Sequence, residues 1–343
     1  MTAALETDFW HDNEVLRAIG YEGILRRAGR NRPIYLRIET ANTCNNDCVI
    51  CAYGDQTRAK EIMSHDVFEK AVRDYVDIGG GFLSFTPLVG DFFLDRYLIA
   101  RLRFLEKVPE ITELGVTTNA AMAHRFSDAE LEYILSRFKY VSISVYGVDL
   151  PEYERMTRKK TYGHMVQGIR RILNFFRGEI SLEFRLLNTK SKADLEHWVR
   201  SEIRPDPYAA YKINSVITDY ANWGIYDQNN NPLAGDAKWF AAKKEERRPQ
   251  CLIPMFACIV YSGGNVSFCP CDNFDDVEEL RLGNIKDTSL AEMYNSQIAR
   301  ELWNWDRHGT PEFCKSCSFH IGFDVLRSDP EILTNPHKIV GGG

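Results

Sequence analysis

From residue 34 onward, short runs rich in β-branched and aromatic residues alternate with longer stretches whose apolar positions recur at helical spacing. The short runs, Ile34 to Thr40, Phe82 to Thr86, Ile111 to Thr118, Tyr140 to Tyr146, Ile180 to Leu187 and Tyr211 to Ile217, predict six strands. The longer ones predict helices over Asp66 to Asp77, Arg96 to Lys107, Gly163 to Phe176 and Lys192 to Ile203. Another opens at Ser127, where Glu130 completes a reciprocal cap. Strands alternating with helices imply an α/β fold: a parallel sheet with right-handed crossovers and helices outside. Six units are too few for a closed eight-fold barrel, and a site is expected at the carboxyl ends of the strands.

After about residue 218 the rhythm fails, and the segment 222–236 is rich in Asn, Gly and Asp, which favour turns. The expected division is therefore an N-terminal helical extension over 1–33, the α/β domain over 34–218, and a second region over 219–343. Within the last, Gln250 to Phe323 is cysteine-rich and poor in long periodic runs, as expected where metal replaces a large core.

The formal charge of -6 argues against a nucleic-acid partner. The first twenty residues lack the apolar run of a signal peptide, and no apolar window reaches the roughly 18 residues of a membrane span, so a cytoplasmic location without a membrane partner is expected. That compartment changes the reading of the nine cysteines. Disulfides rarely persist there, and closely spaced thiols more often bind metal or do chemistry.

Cys44, Cys48 and Cys51 follow the first strand in C-x3-C-x2-C spacing. Three thiolates on one loop suit three irons of a 4Fe-4S cube, with the fourth iron left open, whereas a structural zinc site wants a fourth ligand close by. The loop resembles the signature of the radical SAM superfamily. That resemblance implies that the open iron is chelated by the amino and carboxylate groups of S-adenosylmethionine, which is cleaved to a 5′-deoxyadenosyl radical. It also implies that Ile50 packs on the adenine. Val89 to Phe92 (VGDF) resembles the family's GGEP element, with Gly90 kept, Asp91 in place of Glu and Phe92 in place of Pro. Thr117-Thr118-Asn119 resembles its TNG turn, which adds Asn119 to the cofactor contacts. Ser142 and Ser144 share one side of the fourth strand, and Ser144 is expected at the ribose. Glu183 and Arg185 share a face of the fifth, either as a salt-bridged interior or with Arg185 as a fork for the cofactor carboxylate.

Four further cysteines, Cys251, Cys269, Cys314 and Cys317, have Gly264 five positions before Cys269, and GNI and SLAEMY follow from Gly283 and Ser289. The arrangement resembles the Twitch or SPASM appendage of radical SAM enzymes, and its four-cysteine pattern closely resembles that of Twitch enzymes of the 2-deoxy-scyllo-inosamine dehydrogenase type. The resemblance implies a partial (β/α)6 TIM-like barrel with a small C-terminal iron-sulfur appendage. In it, a hairpin turning at Gly264, a helix and a C-x2-C loop surround an auxiliary 4Fe-4S cluster. On spacing alone a zinc ribbon remains open. Cys258 and Cys271 are then left over, either as small buried apolar residues or as catalytic thiols that donate hydrogen to a substrate radical. Among the eight histidines only His320 lies near a cysteine cluster, and it reads as structural.

The expected activity is that of a radical SAM oxidoreductase with a small polar substrate, sugar or aminocyclitol-like, the auxiliary cluster taking an electron and a flavodoxin or ferredoxin acting as reductant. A peptide maturase forming a cross-link or epimer is the alternative enzyme. A non-enzymatic iron-sulfur or zinc interaction protein is the alternative of another class, and it leaves the three-cysteine site unexplained.

Overall fold

The computed structural model describes residues 33, 35–205, 209–221, 223, 238–240, 244–271 and 273–322. The helical extension expected over 1–33 (Pro33 apart), most of the turn-rich segment 222–236 and the tail from residue 323 lie outside the described residues.

All six expected strands form, as β1 (Tyr35–Ile38), β2 (Gly81–Ser84), β3 (Ile111–Thr118), β4 (Tyr140–Val145), β5 (Glu179–Arg185) and β6 (Tyr211–Ile217), parallel and in chain order. The connecting helices are α1 (His65–Asp77), α2 (Leu98–Leu105), α3 (Asp128–Ser136), α4 (Leu150–Thr157), α5 (Tyr162–Phe175) and α6 (Lys192–Trp198). Ser127 and Glu130 close the expected capping box at α3. The helix expected to run to Ile203 is α-helical only to Trp198 and ends in a π-turn over Val199–Ile203, stopped by Arg204 at φ +51°. Helix α4 was not expected from the periodicity. It is too short to show an apolar stripe, although its Asp149 cap and Pro151 in the first turn are ordinary start signals.

Side-chain alternation along the strands separates two chemistries. Leu36, Ile38, Leu83, Val116, Val141, Ile143, Leu182 and Phe184 are buried in the core that the helices cover. The register sets Leu36 beside Leu83, Val116 beside Val141 and Ile143 beside Leu182 on that face. The opposite face carries Ser84, Thr117, Ser142, Ser144, Glu183 and Arg185, again paired across neighbours, as Thr117 with Ser142 and Ser144 with Glu183. The inside of the curved sheet is therefore polar toward the carboxyl ends of the strands, whereas Tyr35, Phe82 and Tyr140 pack together on the same face at their amino ends.

The C-terminal region extends the same sheet. Strand β9 (Ala257–Val260) pairs in parallel with the free side of β1, β10 (Asn265–Ser267) returns antiparallel, and β11 (Arg281–Asn284) follows. The order β11-β10-β9-β1-β2-β3-β4-β5-β6 is an open nine-stranded sheet, and β7 (Asp219–Ala221) and β8 (Lys238–Phe240) form a separate pair. The β9–β10 hairpin turns at Gly264, as expected, with φ +95°. Beyond β9's starting helix α7 (Ile253–Phe256), the region adds α8 (Leu290–Asn295), capped by Ser289 and Glu292, then α9 (Gln297–Leu302) and α10 (Trp305–His308). Among the described residues no helix is long and apolar enough to cross a membrane.

Candidate functional site

The loop carrying Cys44, Cys48 and Cys51 leaves the carboxyl end of β1 and is held from two sides. Helix α4 supplies one, because the N–H groups of Asp47 and Val49 donate to the carbonyls of Thr157 (3.0 Å) and Met156 (2.8 Å). The segment after β2 supplies the other, where Asp91 N–H donates to the Thr43 carbonyl at 2.9 Å. Gly90 has φ +144°, and a Cβ there would lie 2.5 Å from the Ala41 carbonyl oxygen. Only a glycine lets these two backbones approach so closely. Phe92, which departs from the GGEP pattern, anchors this segment by packing edge-on against Phe85 (5.9 Å) and Phe138 (5.4 Å).

The Asp91 carboxylate is taken up by donors at the strand ends, although its charge still acts on Cys44. One oxygen accepts Phe93 N–H (3.0 Å), and the other accepts Asn119 N–H and the Thr118 hydroxyl (both 2.9 Å). Burial raises its pKa, and these three donors oppose that rise. The residue thus ties the end of β2 to the end of β3 and presents Asn119. The Asn119 amide then reaches the Cys44 sulfur at 3.8 Å and the Asn45 side chain at 3.0 Å.

All three thiols of this loop are pushed above their ordinary range, chiefly by burial; Cys51 rises to about 11. The charge of Asp91 and then that of Cys51 add to the burial for Cys44, repulsion from Cys44 and Cys51 adds to it for Cys48, and the charge of Arg185 partly offsets the rise for Cys48 and Cys51. Three thiols on one loop, Cys48 buried and Cys44 and Cys51 half-buried, become thiolates near neutral pH only with a cationic group among them. The surroundings offer donors for such a group. Asn46 N–H points at the Cys44 sulfur (3.4 Å), and the buried Asn46 side-chain N–H2 finds no acceptor among the described residues. The donor set therefore fits an iron-sulfur cluster, whose sulfurs accept such bonds. The Asn45 and Asn46 amides were missed at the sequence level, where their signal was simply their place between the first two cysteines.

Arg185 and Ser144 lie on the polar inner face beside this loop. Arg185 donates to Glu183 (3.1 Å) and to the Ser144 hydroxyl (3.4 Å), and Ser142 donates to the other Glu183 oxygen (2.7 Å). The ion-paired interior is real, and the guanidinium within it is still close enough to act on Cys48 and Cys51. Ile50 is buried with Val49, Met156, Leu187 and Tyr220, and Trp223 donates to its carbonyl (3.0 Å).

The second group of thiols gathers where β9 begins and β10 ends. Cys251, Cys269 and Cys314 are buried, and Cys317 is half-buried. Their mutual charges act on one another: Cys314 feels Cys251, while Cys269 feels Cys251 and Cys317. Among the described residues no three Cys, His, Asp or Glu side chains converge as they would on a single metal ion. The two leftover cysteines separate. Cys271 joins this group, its N–H donating to the Cys269 sulfur at 3.4 Å. Cys258 does not: it pairs across to Leu36 on the helix-covered face, is fully buried in the core and bonds Tyr294 of α8. That register turns the Cys258 sulfur away from the polar interior, which favours the small buried apolar residue over the catalytic thiol among the two expected parts.

A clamp joins the two regions. Arg58 forms a two-point ion pair with buried Glu39 (2.8 and 3.0 Å) and donates to the Phe274 carbonyl, while Asp275 accepts from Thr57 and Arg58 N–H groups (2.8 and 3.1 Å). Phe274 packs with Ala52, Val89 and Cys51.

Two family models match the chain, the Radical SAM superfamily over residues 38–200 and an iron-sulfur cluster-binding domain, SPASM, over residues 251–318. A GTP 3′,8-cyclase of Petrotoga mobilis is 22% identical over 179 residues, 52% of this chain and 54% of that protein. The chain thus spans about half the length of the curated relatives it matches. Among solved structures, Streptococcus suis SuiB bound to precursor peptide SuiA is 13% identical, covering 91% of this chain and 77% of its own, with a TM-score of 0.55. The structure of anSMEcpe with bound AdoMet is 15% identical, covering 90% and 94%, with a TM-score of 0.52. At these identities the likeness is one of fold.

Proposed function

Since the chain belongs to the radical SAM superfamily and carries its iron-sulfur SPASM domain, we propose that it is a two-cluster oxidoreductase acting on a small polar metabolite, sugar or aminocyclitol-like. Cys44, Cys48 and Cys51 would hold a 4Fe-4S cluster with S-adenosylmethionine at its open iron. Cys251, Cys269, Cys314 and Cys317 would hold an auxiliary cluster as electron acceptor. When bound, the first cluster and its cofactor supply reductive cleavage and hydrogen abstraction at an unactivated carbon.

The chain's own residues orient and separate. Gly90 lets the β2 loop lie on the cysteine loop, and Asp91 fixes Asn119 toward Cys44. Arg185, steadied by Glu183 and Ser144, offers a guanidinium fork for the cofactor carboxylate. Ile50 offers an apolar surface for the adenine. Ser84, Thr86, Thr117 and Ser142 line the inner face with hydroxyls, which suit a hydroxyl-bearing substrate. The net change is alcohol to ketone, two electrons and two protons leaving the substrate. A flavodoxin or ferredoxin in the cytoplasm would be the reductant that supplies the electron for cofactor cleavage.

The observation that carries this reading is the grouping of three thiols on one loop, with the Asn46 and Asn119 amides directed at Cys44 and the Arg185 guanidinium acting on Cys48 and Cys51. The test is anaerobic iron and sulfide analysis of reconstituted protein beside a Cys44, Cys48, Cys51 triple-alanine variant, with a dithionite assay for 5′-deoxyadenosine. About eight irons in the wild type and about four in the variant, with 5′-deoxyadenosine from the wild type alone, are expected. Zinc without labile sulfide would sink the proposal. A polyol and aminocyclitol panel, scored for new carbonyls, tests the substrate class, and turnover confined to a peptide would replace it.

A further inference from the structure

Five thiols, not four, lie around the second site, and the fifth is set against a particular neighbour. The Cys269 thiol hydrogen-bonds the Cys271 sulfur, and the Cys271 backbone N–H donates back to the Cys269 sulfur at 3.4 Å. Between them Pro270 limits the backbone, and its carbonyl is fixed by Arg37 (2.9 Å). On the far side Asn273 donates to the Cys271 carbonyl and to Ser267 (3.0 Å), and accepts Val277 N–H (2.7 Å). The Cys-Pro-Cys turn is thus pinned at both ends, with two thiols presented together. Cys251 feels the charge of Cys271, so the fifth thiol lies within electrostatic reach of a second corner of the site.

We propose that Cys271 is a reserve ligand for the iron held by Cys269, and hydrogen-bonds the Cys269 sulfur while that iron is in place. This rests on the auxiliary-cluster reading above. The exchange balances: one iron–sulfur bond breaks at Cys269 as another forms at Cys271, and the thiol proton passes from Cys271 to Cys269. Charge and electron count are unchanged, so no oxidant or reductant is needed. The other three corners, Cys251, Cys314 and Cys317, have no such duplicate among the described residues.

The experiment uses the full chain in the Cys44, Cys48, Cys51 triple-alanine background, so that only the second site reports. Iron, sulfide, the electron paramagnetic resonance spectrum and the midpoint potential are measured for Cys269→Ala, Cys271→Ala, the double variant and Cys251→Ala. Cys269→Ala is expected to keep about four irons with altered g values, and the double variant to lose more than half of them, as Cys251→Ala does. Cys271→Ala is expected to keep its cluster at a more negative midpoint potential, because a hydrogen bond to sulfur favours the reduced state. Loss of the cluster in Cys269→Ala alone, or its retention in the double variant, overturns the proposal. If Cys269→Ala fails to fold by circular dichroism, an unchanged potential in Cys271→Ala overturns it instead. A triple-alanine parent without sulfide would overturn the auxiliary-cluster reading itself, whereas a loaded parent with an empty Cys269→Ala would overturn only this inference.

Discussion

The carboxylate of Asp91 accepts the backbone N–H of Asn119 at 2.9 Å, and Asn119 in turn directs its side-chain amide to the sulfur of Cys44. Two strand ends and the cysteine loop are thereby joined through one buried acid. Replacing Asp91 with Ala leaves three donors unmet and is expected to cost about 3 kcal/mol of stability. Asp91→Asn, which keeps an acceptor, should lose less. Urea unfolding of both variants, with iron content of the first site, checks this order; equal stability of the two would show that the carboxylate is not the tie.

Gly90→Ala puts a methyl against a backbone oxygen that cannot move aside cheaply. A cost of about 1–3 kcal/mol is expected from the strained φ and the clash. The second site should load normally while the first takes up less iron, as read by iron analysis and spin counting. Equal loss at both sites would point to general misfolding.

Arg185→Gln strands Glu183, which is buried, without its cation. A loss of about 3 kcal/mol is expected, and Glu183→Gln together with Arg185→Gln should recover most of it. Affinity for S-adenosylmethionine should stay at least about tenfold weaker in both, measured by equilibrium dialysis on reconstituted protein. Recovery of affinity in the double variant would reduce Arg185 to a partner for Glu183.

Cys258→Ala removes a small buried sulfur from the core and is expected to cost about 1 kcal/mol. Yield of 5′-deoxyadenosine per cluster should match the wild type, and so should product once a substrate is in hand. A specific loss of product at full iron loading would return this thiol to the reaction.

The six parallel strands were legible because apolar residues for the helices alternate with hydroxyls and charges for the interior, most plainly in Tyr140–Val145 and Glu179–Arg185. Helix α4 was not, since eight residues carry too little periodicity. The run Ala257–Val260 is buried at every position, so nothing in it names β1 as the partner. That pairing is decided by a contact between distant parts of the chain. The same holds at the site. Spacing identified the cysteines, but only strand register separates Cys258, paired to Leu36, from Cys271, lodged beside Cys269. The part of Asp91 was hidden likewise, since two of its three donors come from the next strand.

The insertion of β9 beside β1 has a consequence for anyone shortening this chain. With β9 present, β1 is an interior strand whose backbone groups are met on both sides. A truncation before Gln250 would turn β1 into an exposed edge, with Leu36 and Ile38 partly uncovered and Glu39 deprived of Ser262. Such an edge invites pairing with other chains, so the isolated 34–218 segment should form aggregates when expressed without its last third.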